Sequence, residues 1–234
     1  MRHLLLACAA VILAAGCEKV ESTSVKTSGV YADLAATSYG EGTTEVEATL
    51  KVGGPLANVY LDLAGGDHLT ARAGGHEADL DRLSFGDMVW YKVELPVDAG
   101  GTEIILAFTR PDDVSTESRV TLPQDLAPAV TGAGPFSRSL DDVVIGWGGG
   151  SDDDVTVDLA GDCILAYGAG GGVDTGSVRI PGGILTAPSP AAPATCTVTA
   201  TITRERRAAV DPAFGEGGQF VARQVRAVTF ASVP

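Results

Sequence analysis

Apolar and polar residues alternate along most of this chain. The alternation is sharpest at Thr44 to Val52, TEVEATLKV, where Val46, Ala48, Leu50 and Val52 fall on one side and Glu45, Glu47, Thr49 and Lys51 on the other. A period of two marks a half-buried strand, because successive side chains leave a pleated backbone on opposite faces. The same reading predicts strands at Tyr31 to Ser38, Val59 to Leu63, Leu69 to Ala73, Val89 to Leu95, Thr102 to Thr109 and Ser115 to Leu122. Between them stand turn signals such as Gly53-Gly54-Pro55, Gly74-Gly75 and Arg110-Pro111-Asp112-Asp113, where glycine supplies positive φ and proline presets φ. Strands this closely spaced predict an all-β sandwich or barrel. Trp90 and Tyr91 must face opposite ways, so only one of them points into the core.

The pattern pauses at Gln124 to Pro135, QDLAPAVTGAGP, and resumes beyond it. Val143 to Trp147 and Asp154 to Leu159 read as neighbouring strands around a glycine and aspartate turn. Thr195 to Thr203, TCTVTATIT, and Val221 to Phe230 read as the last two, joined by the loop 211–218. Glycine runs at 146–150 and 168–172 are expected as turns, since neither carries a full G-x-G-x-x-G before a helix. No stretch has a convincing helical period; Glu77 to Leu83 comes nearest. The expected organisation is therefore a first β-sandwich domain at 29–123, a linker at 124–135 and a second β-sandwich domain at 136–234.

The opening residues follow another rule. Arg2 is followed by an uninterrupted apolar run from Leu4 to Ala15, then Gly16 and Cys17. A basic start, an apolar run and small residues before a cut are the parts of an export signal, and the run is too short to cross a bilayer as a stable helix. The Leu-Ala-Ala-Gly-Cys ending resembles a bacterial lipobox, with Ala14 at the position where a branched residue is more usual. That resemblance implies that residues 1–16 are a lipoprotein signal peptide and that Cys17 carries a diacylglycerol and becomes the first residue of the mature chain. It also implies a lipidated tether over 17–28. Glu18 in place of aspartate implies sorting to the outer membrane, with the protein facing the periplasm or the cell surface.

Composition narrows the function. The chain has 30 Asp+Glu against 16 Lys+Arg, a net charge of −14 that becomes −15 when Arg2 leaves with the signal. So acidic a surface repels phosphate backbones, which argues against nucleic-acid partners. Of the four cysteines, Cys8 goes with the signal and Cys17 takes lipid. Cys163 and Cys196 remain as an even pair in an exported chain, and they are expected to form a disulfide.

Candidate chemistry is sparse. The run Asp152-Asp153-Asp154 offers oxygens of the kind Ca²⁺ prefers, but its spacing matches no EF-hand loop and a solvated acidic loop is the plainer reading. His68 and His76, with Glu77 beside the second, suggest Zn²⁺ if a hairpin brings them together, although His76 and Glu77 point to opposite faces of an extended strand. A Ser-His-Asp hydrolase would have to use one of these two histidines, and no G-x-S-x-G elbow is present. Arg204, Arg206, Arg207, Arg223 and Arg226 concentrate positive charge in the last hairpin, where cross-strand pairing with Glu205, Asp211 and Glu216 is expected.

The stretches VYADLAATSYGEGTTEVEATLKVGGPLANVYLDLAGGDHLTA (Val30 to Ala71) and VDPAFGEGGQFVARQVRAVTF (Val210 to Phe230) resemble proteobacterial lipoproteins of Ig-like make-up, of the kind abundant in myxobacteria. The resemblance implies two tandem Ig-like antiparallel β-sandwich domains after a lipoprotein signal peptide. It brings no assigned reaction and no functional residue beyond Cys17. The expectation is a non-enzymatic envelope interaction or adhesion module, with no cofactor other than the acyl lipid on Cys17. Its expected partners are the membrane, through that anchor, and an envelope protein or glycan. A Ca²⁺- or small-ligand-binding envelope protein and an envelope hydrolase are the alternatives.

Overall fold

A computed structural model describes residues 18–234, so the expected signal peptide and Cys17 lie outside the described residues. The fold is all-β. In chain order the first part consists of β1 (Glu18–Glu21), β2 (Val30–Ser38), β3 (Thr44–Val52), β4 (Val59–Asp62), β5 (His68–Ala73), β6 (His76–Asp79), β7 (Asp81–Phe85), β8 (Met88–Leu95), β9 (Glu103–Thr109) and β10 (Thr116–Thr121). The remainder consists of β11 (Ala129–Thr131), β12 (Phe136–Ser137), β13 (Val143–Gly146), β14 (Ser151–Ala160), β15 (Tyr167–Asp174), β16 (Ser177–Ile180), β17 (Cys196–Ala208) and β18 (Gly218–Val233). The segment 77–83, nearest to a helix by its sequence, is strand in β6 and β7; four residues of β6 pair with β5, and backbone pairing overrides its weak helical period.

One large sheet runs through the molecule in the order β1-β4-β3-β2-β18-β17-β14-β15, with β7, β8 and β12 attached to it. Two smaller sheets cover it. The sheet β10-β9-β5-β6 closes the first hydrophobic core, built on Leu34, Val46, Leu50, Leu69, Leu106 and Phe108. The sheet β11-β13-β16 closes the second, built on Ile145, Trp147, Val157, Val198, Ile202 and Phe230. Each core is thus a layer of apolar side chains between facing sheets. Val143–Gly146 and Ser151–Ala160, which read as neighbours by sequence, lie in different sheets, because the chain crosses from one layer to the other at the intervening glycines. Gly168 to Gly172, expected as a turn, lies within edge strand β15, opposite a stretch of β14 with two register shifts. A run with almost no side chains carries no alternation from which a strand can be read.

The C-terminal hairpin joins the two cores. Its first strand pairs with its second over the whole of Cys196 to Ala208, in the register Cys196↔Ser232 to Ala208↔Phe220. Residues 218–224 of β18 also run parallel to β2, from Gly218↔Ala32 to Gln224↔Ser38. The strand then continues past the 40–42 turn into the second core. Phe214, Phe220 and Ala222 accordingly pack in the first core, although their place in the chain groups them with the second. At about 3.3 Å per residue, β18 alone is about 50 Å long.

The polar stretch expected as a tether is docked onto this body. β1 pairs in parallel with β4 from Glu18↔Val59 to Glu21↔Asp62, and Ser22 and Thr27 are buried. Arg110, in the β9–β10 turn, holds the segment from beneath. Its guanidinium donates to the Ser22 carbonyl at 2.6 Å and the Val25 carbonyl at 2.9 Å, and it pairs with Asp67 at 2.9 Å and Asp113 at 3.1 Å. A composition of Ser, Thr, Lys and Glu reads as loose chain only while the arginine that satisfies its carbonyls is out of sight, more than eighty residues away.

Candidate functional site

Two polar constructions stand out: a buried network between the cores and an open face on the first sandwich. The network begins with Arg204 and Gln224, cross-strand partners on β17 and β18, both buried at the point where the hairpin passes from one core to the other. Arg204 pairs with Asp174 at 2.5 Å and donates to the carbonyls of Gln124 at 2.9 Å and Gly149 at 3.0 Å. Gln224 Nε2 donates to the Asp98 carbonyl at 2.9 Å. Asp174 also accepts from Trp147 Nε1 and from the Gly176 N–H, both at 2.8 Å. Burial pushes the Asp174 carboxyl up, but the Trp147 and Gly176 donors, Arg204 and Ser151 together outweigh it, and the carboxyl titrates below its ordinary value. Ser151 Oγ lies 3.1 Å from Asp174 and 3.2 Å from Asp153, its single proton shared between the two carboxylates, and Asp153 pairs in turn with Arg206 at 2.7 Å. Two carboxylates and two guanidinium groups therefore neutralise one another around a hydroxyl. Such an arrangement fixes the geometry of the joint.

This network also determines where the acidic run goes. Asp153 turns inward to Arg206, whereas Asp152 and Asp154 lie on the opposite, exposed side of β14. Alternation along the strand keeps Asp152, Asp153 and Asp154 from converging on one point. Among the described residues, no group of three or more His, Cys, Asp or Glu side chains is placed to hold a metal ion. His68 and His76 are not brought together either: His68 opens β5 opposite Thr109 of β9, while His76 lies past the turn, opposite Ala73. The last-hairpin arginines are paired. Arg223 meets Glu205 at 2.7 Å, Arg207 meets the same carboxylate, and Arg226 donates to the Ser38 carbonyl at 3.0 Å. Asp211, expected among their partners, instead accepts the Glu117 N–H of edge strand β10 at 3.0 Å. Cys163 and Cys196 form a disulfide at the end of the second core, with Cα atoms 5.6 Å apart.

The open face is the outer side of β10-β9-β5-β6. Arg72 pairs with Glu117, and Arg119 pairs with both Glu117 and Glu103. Arg72, Glu117, His68, Thr70 and Asp211 border a shallow, polar concavity of about 470 Å³. His68 Nδ1 meets the Gly66 carbonyl of its own loop at 3.0 Å. The surface offers ion-paired donors and acceptors with carboxylates in excess, suited to reversible contact with another polar surface. Neither Arg110 nor Asp174 announces itself in the sequence. Arg110 lies in an ordinary-looking turn and Asp174 follows a glycine run, so only the folded partners show what each does.

No protein-family model matches the chain, and no curated protein matches it. Among solved structures it is similar to the Yersinia pseudotuberculosis adhesin InvE, with 12% identity and a TM-score of 0.24 over 88% of this chain. The chain spans 59% of the length of that structure. At this level the likeness transfers no residue role.

Proposed function

We propose that this chain is a lipid-anchored cell-envelope protein acting as a non-enzymatic interaction or adhesion module. In this reading Cys17 is acylated after removal of residues 1–16, the protein sits on the outer membrane, and each core is an Ig-like sandwich of the myxobacterial lipoprotein kind. The observation that carries the reading is the passage of β18 through both cores. Gly218 lies beside Ala32 and Gln224 beside Ser38, so the strand leaves the first core at the end opposite Glu18, which is level with Val59 and, through Tyr60↔Lys51, with the far end of β3. An unbroken hairpin of this kind, clamped at its middle by Arg204, presents the second sandwich at a set distance from the anchor. The polar face of the first sandwich and the loops of the second then serve as contact surfaces for an envelope protein or glycan.

The test is crosslinking in intact cells followed by mass spectrometry, with a Cys17→Ser variant alongside. A recurrent envelope partner, lost when Cys17→Ser releases the protein from the membrane pellet, is the expected result. Retention of Cys17→Ser in the membrane, or crosslinking no different from that of an unrelated exported protein, refutes the proposal.

A further inference from the structure

The end of the first sandwich from which Glu18 emerges carries several uncovered apolar side chains. Leu56, in the turn between β3 and β4, is 94% exposed, and Phe85, at the tip of the β7–β8 hairpin, is 77% exposed. Leu83 and Met88 are also exposed. The pairs Leu83↔Trp90 and Phe85↔Met88 put these four side chains on one face of the hairpin, since directly opposed residues share a side. Register directs the two turns toward the same end of the sheet. β8 runs antiparallel to β3 from Thr44↔Leu95 to Ala48↔Tyr91, so its earlier residues point toward the end of β3 where the Leu56 turn begins. The hairpin is held against β4 by Arg82, bidentate to Asp62 at 2.6 and 2.9 Å, and by the Tyr91 hydroxyl, which donates to the Leu61 carbonyl at 3.1 Å. Glu18 lies at the same level, its N–H donating to the Asn58 carbonyl at 2.9 Å.

We infer that this end is seated on the lipid surface, with Leu56, Phe85 and Met88 entering the interfacial layer and Trp90 at its boundary. The inference rests on the acylation of Cys17 proposed above. The chain after Cys17 is not a slack linker but strand β1, so the lipidated residue is one residue, about 3.5 Å, from the folded body. A body held that closely must lie against the bilayer, and the surface it turns to the lipid is the one bearing these side chains. Asp87, in the hairpin turn, limits the depth to the headgroup region. Exposed apolar side chains with an aromatic at the margin suit that region.

Trp90 and Trp147 allow a direct test, because Trp147 is buried in the second core, beyond the Arg204 joint. Full-length protein extracted from membranes is reconstituted into phosphatidylethanolamine and phosphatidylglycerol vesicles containing acyl-chain-brominated lipid. The wild type is expected to lose the Trp90 share of its emission, and Trp90→Phe is expected to keep its emission unchanged. Phe85→Ser combined with Leu56→Ser alters only exposed positions and is expected to restore most of the loss. The mass of the amino-terminal peptide is measured on the same samples. An unacylated peptide overturns the anchor and this seating with it, whereas an acylated peptide with undiminished wild-type emission overturns the seating alone. Absence of quenching together with a dimer in detergent that Phe85→Ser dissolves would assign the surface to a second copy of the chain instead.

Discussion

Arg204 and Asp174 meet at 2.5 Å with both side chains almost wholly removed from solvent, at the point where the shared hairpin crosses between the two cores. Removing one member of such a pair leaves a buried charge uncompensated, which typically costs about 3–5 kcal/mol. Arg204→Met is therefore expected to destabilise the protein by about that amount in urea titration. Arg204→Met combined with Asp174→Asn is expected to recover part of the loss, because the orphaned charge is gone.

The same carboxylate makes stability depend on pH. Its folded-state value lies below the ordinary value of about 3.9 for an unfolded aspartate, so its contribution is present above that pH and is lost as the pH falls through the folded value. Asp62, held low by the Arg82 hydrogen bonds, acts in the same direction. Melting temperature is expected to fall steeply below about pH 4 in the wild type. In Asp174→Asn it should start lower at neutral pH and fall less steeply; parallel curves for the two proteins would contradict this.

Arg110 is the clamp on the segment after β1. Arg110→Gln forfeits the contacts to Ser22, Val25 and Asp67 while leaving the β9 and β10 pairing in place. Local opening of residues 22–27 should then become easier by at least about 1.4 kcal/mol, which is roughly a tenfold rise in tryptic cleavage at Lys26 under native conditions. Cleavage at Lys26 no faster than in the wild type would show that the β1–β4 pairing alone secures the segment.

The disulfide closes a separation of 33 residues between Cys163 and Cys196. In the chain-entropy account a loop of that size contributes about 3–4 kcal/mol. The double variant Cys163→Ala/Cys196→Ala should lose about that much in denaturant unfolding. The loss should fall on the second core, so hydrogen exchange is expected to quicken in β14 and β17 before β2 and β3.

Gly218 begins the parallel pairing of β18 with β2. Its φ is +153°, and a Cβ placed there would lie 2.1 Å from the Ala32 carbonyl oxygen. Gly218→Ala must push two backbones apart, and a loss of about 2 kcal/mol or more is expected, read as a lower urea midpoint. An unchanged midpoint would mean that the hairpin can shift against β2 without cost.

The strands with a polar and an apolar side are legible in the sequence. β3 runs over the same nine residues that alternation assigned, Tyr91 is the buried member of the Trp90–Tyr91 pair, and Val198, Ala200 and Ile202 face a core. These features follow from local chemistry, since each residue's face is set by its immediate neighbours along a pleated chain. What tertiary structure alone decided is pairing at long range: β2 with β18, Arg110 with the segment at 22–27, and Arg204 with Asp174 and the residues near Gln124. Such partners lie tens to nearly two hundred residues apart, and no periodicity records which carbonyl an arginine will reach. Sequence thus determined that the chain would be sheets. Only folding decided that one hairpin would belong to both cores, because a long strand gains most when each of its halves buries an apolar face in a different layer.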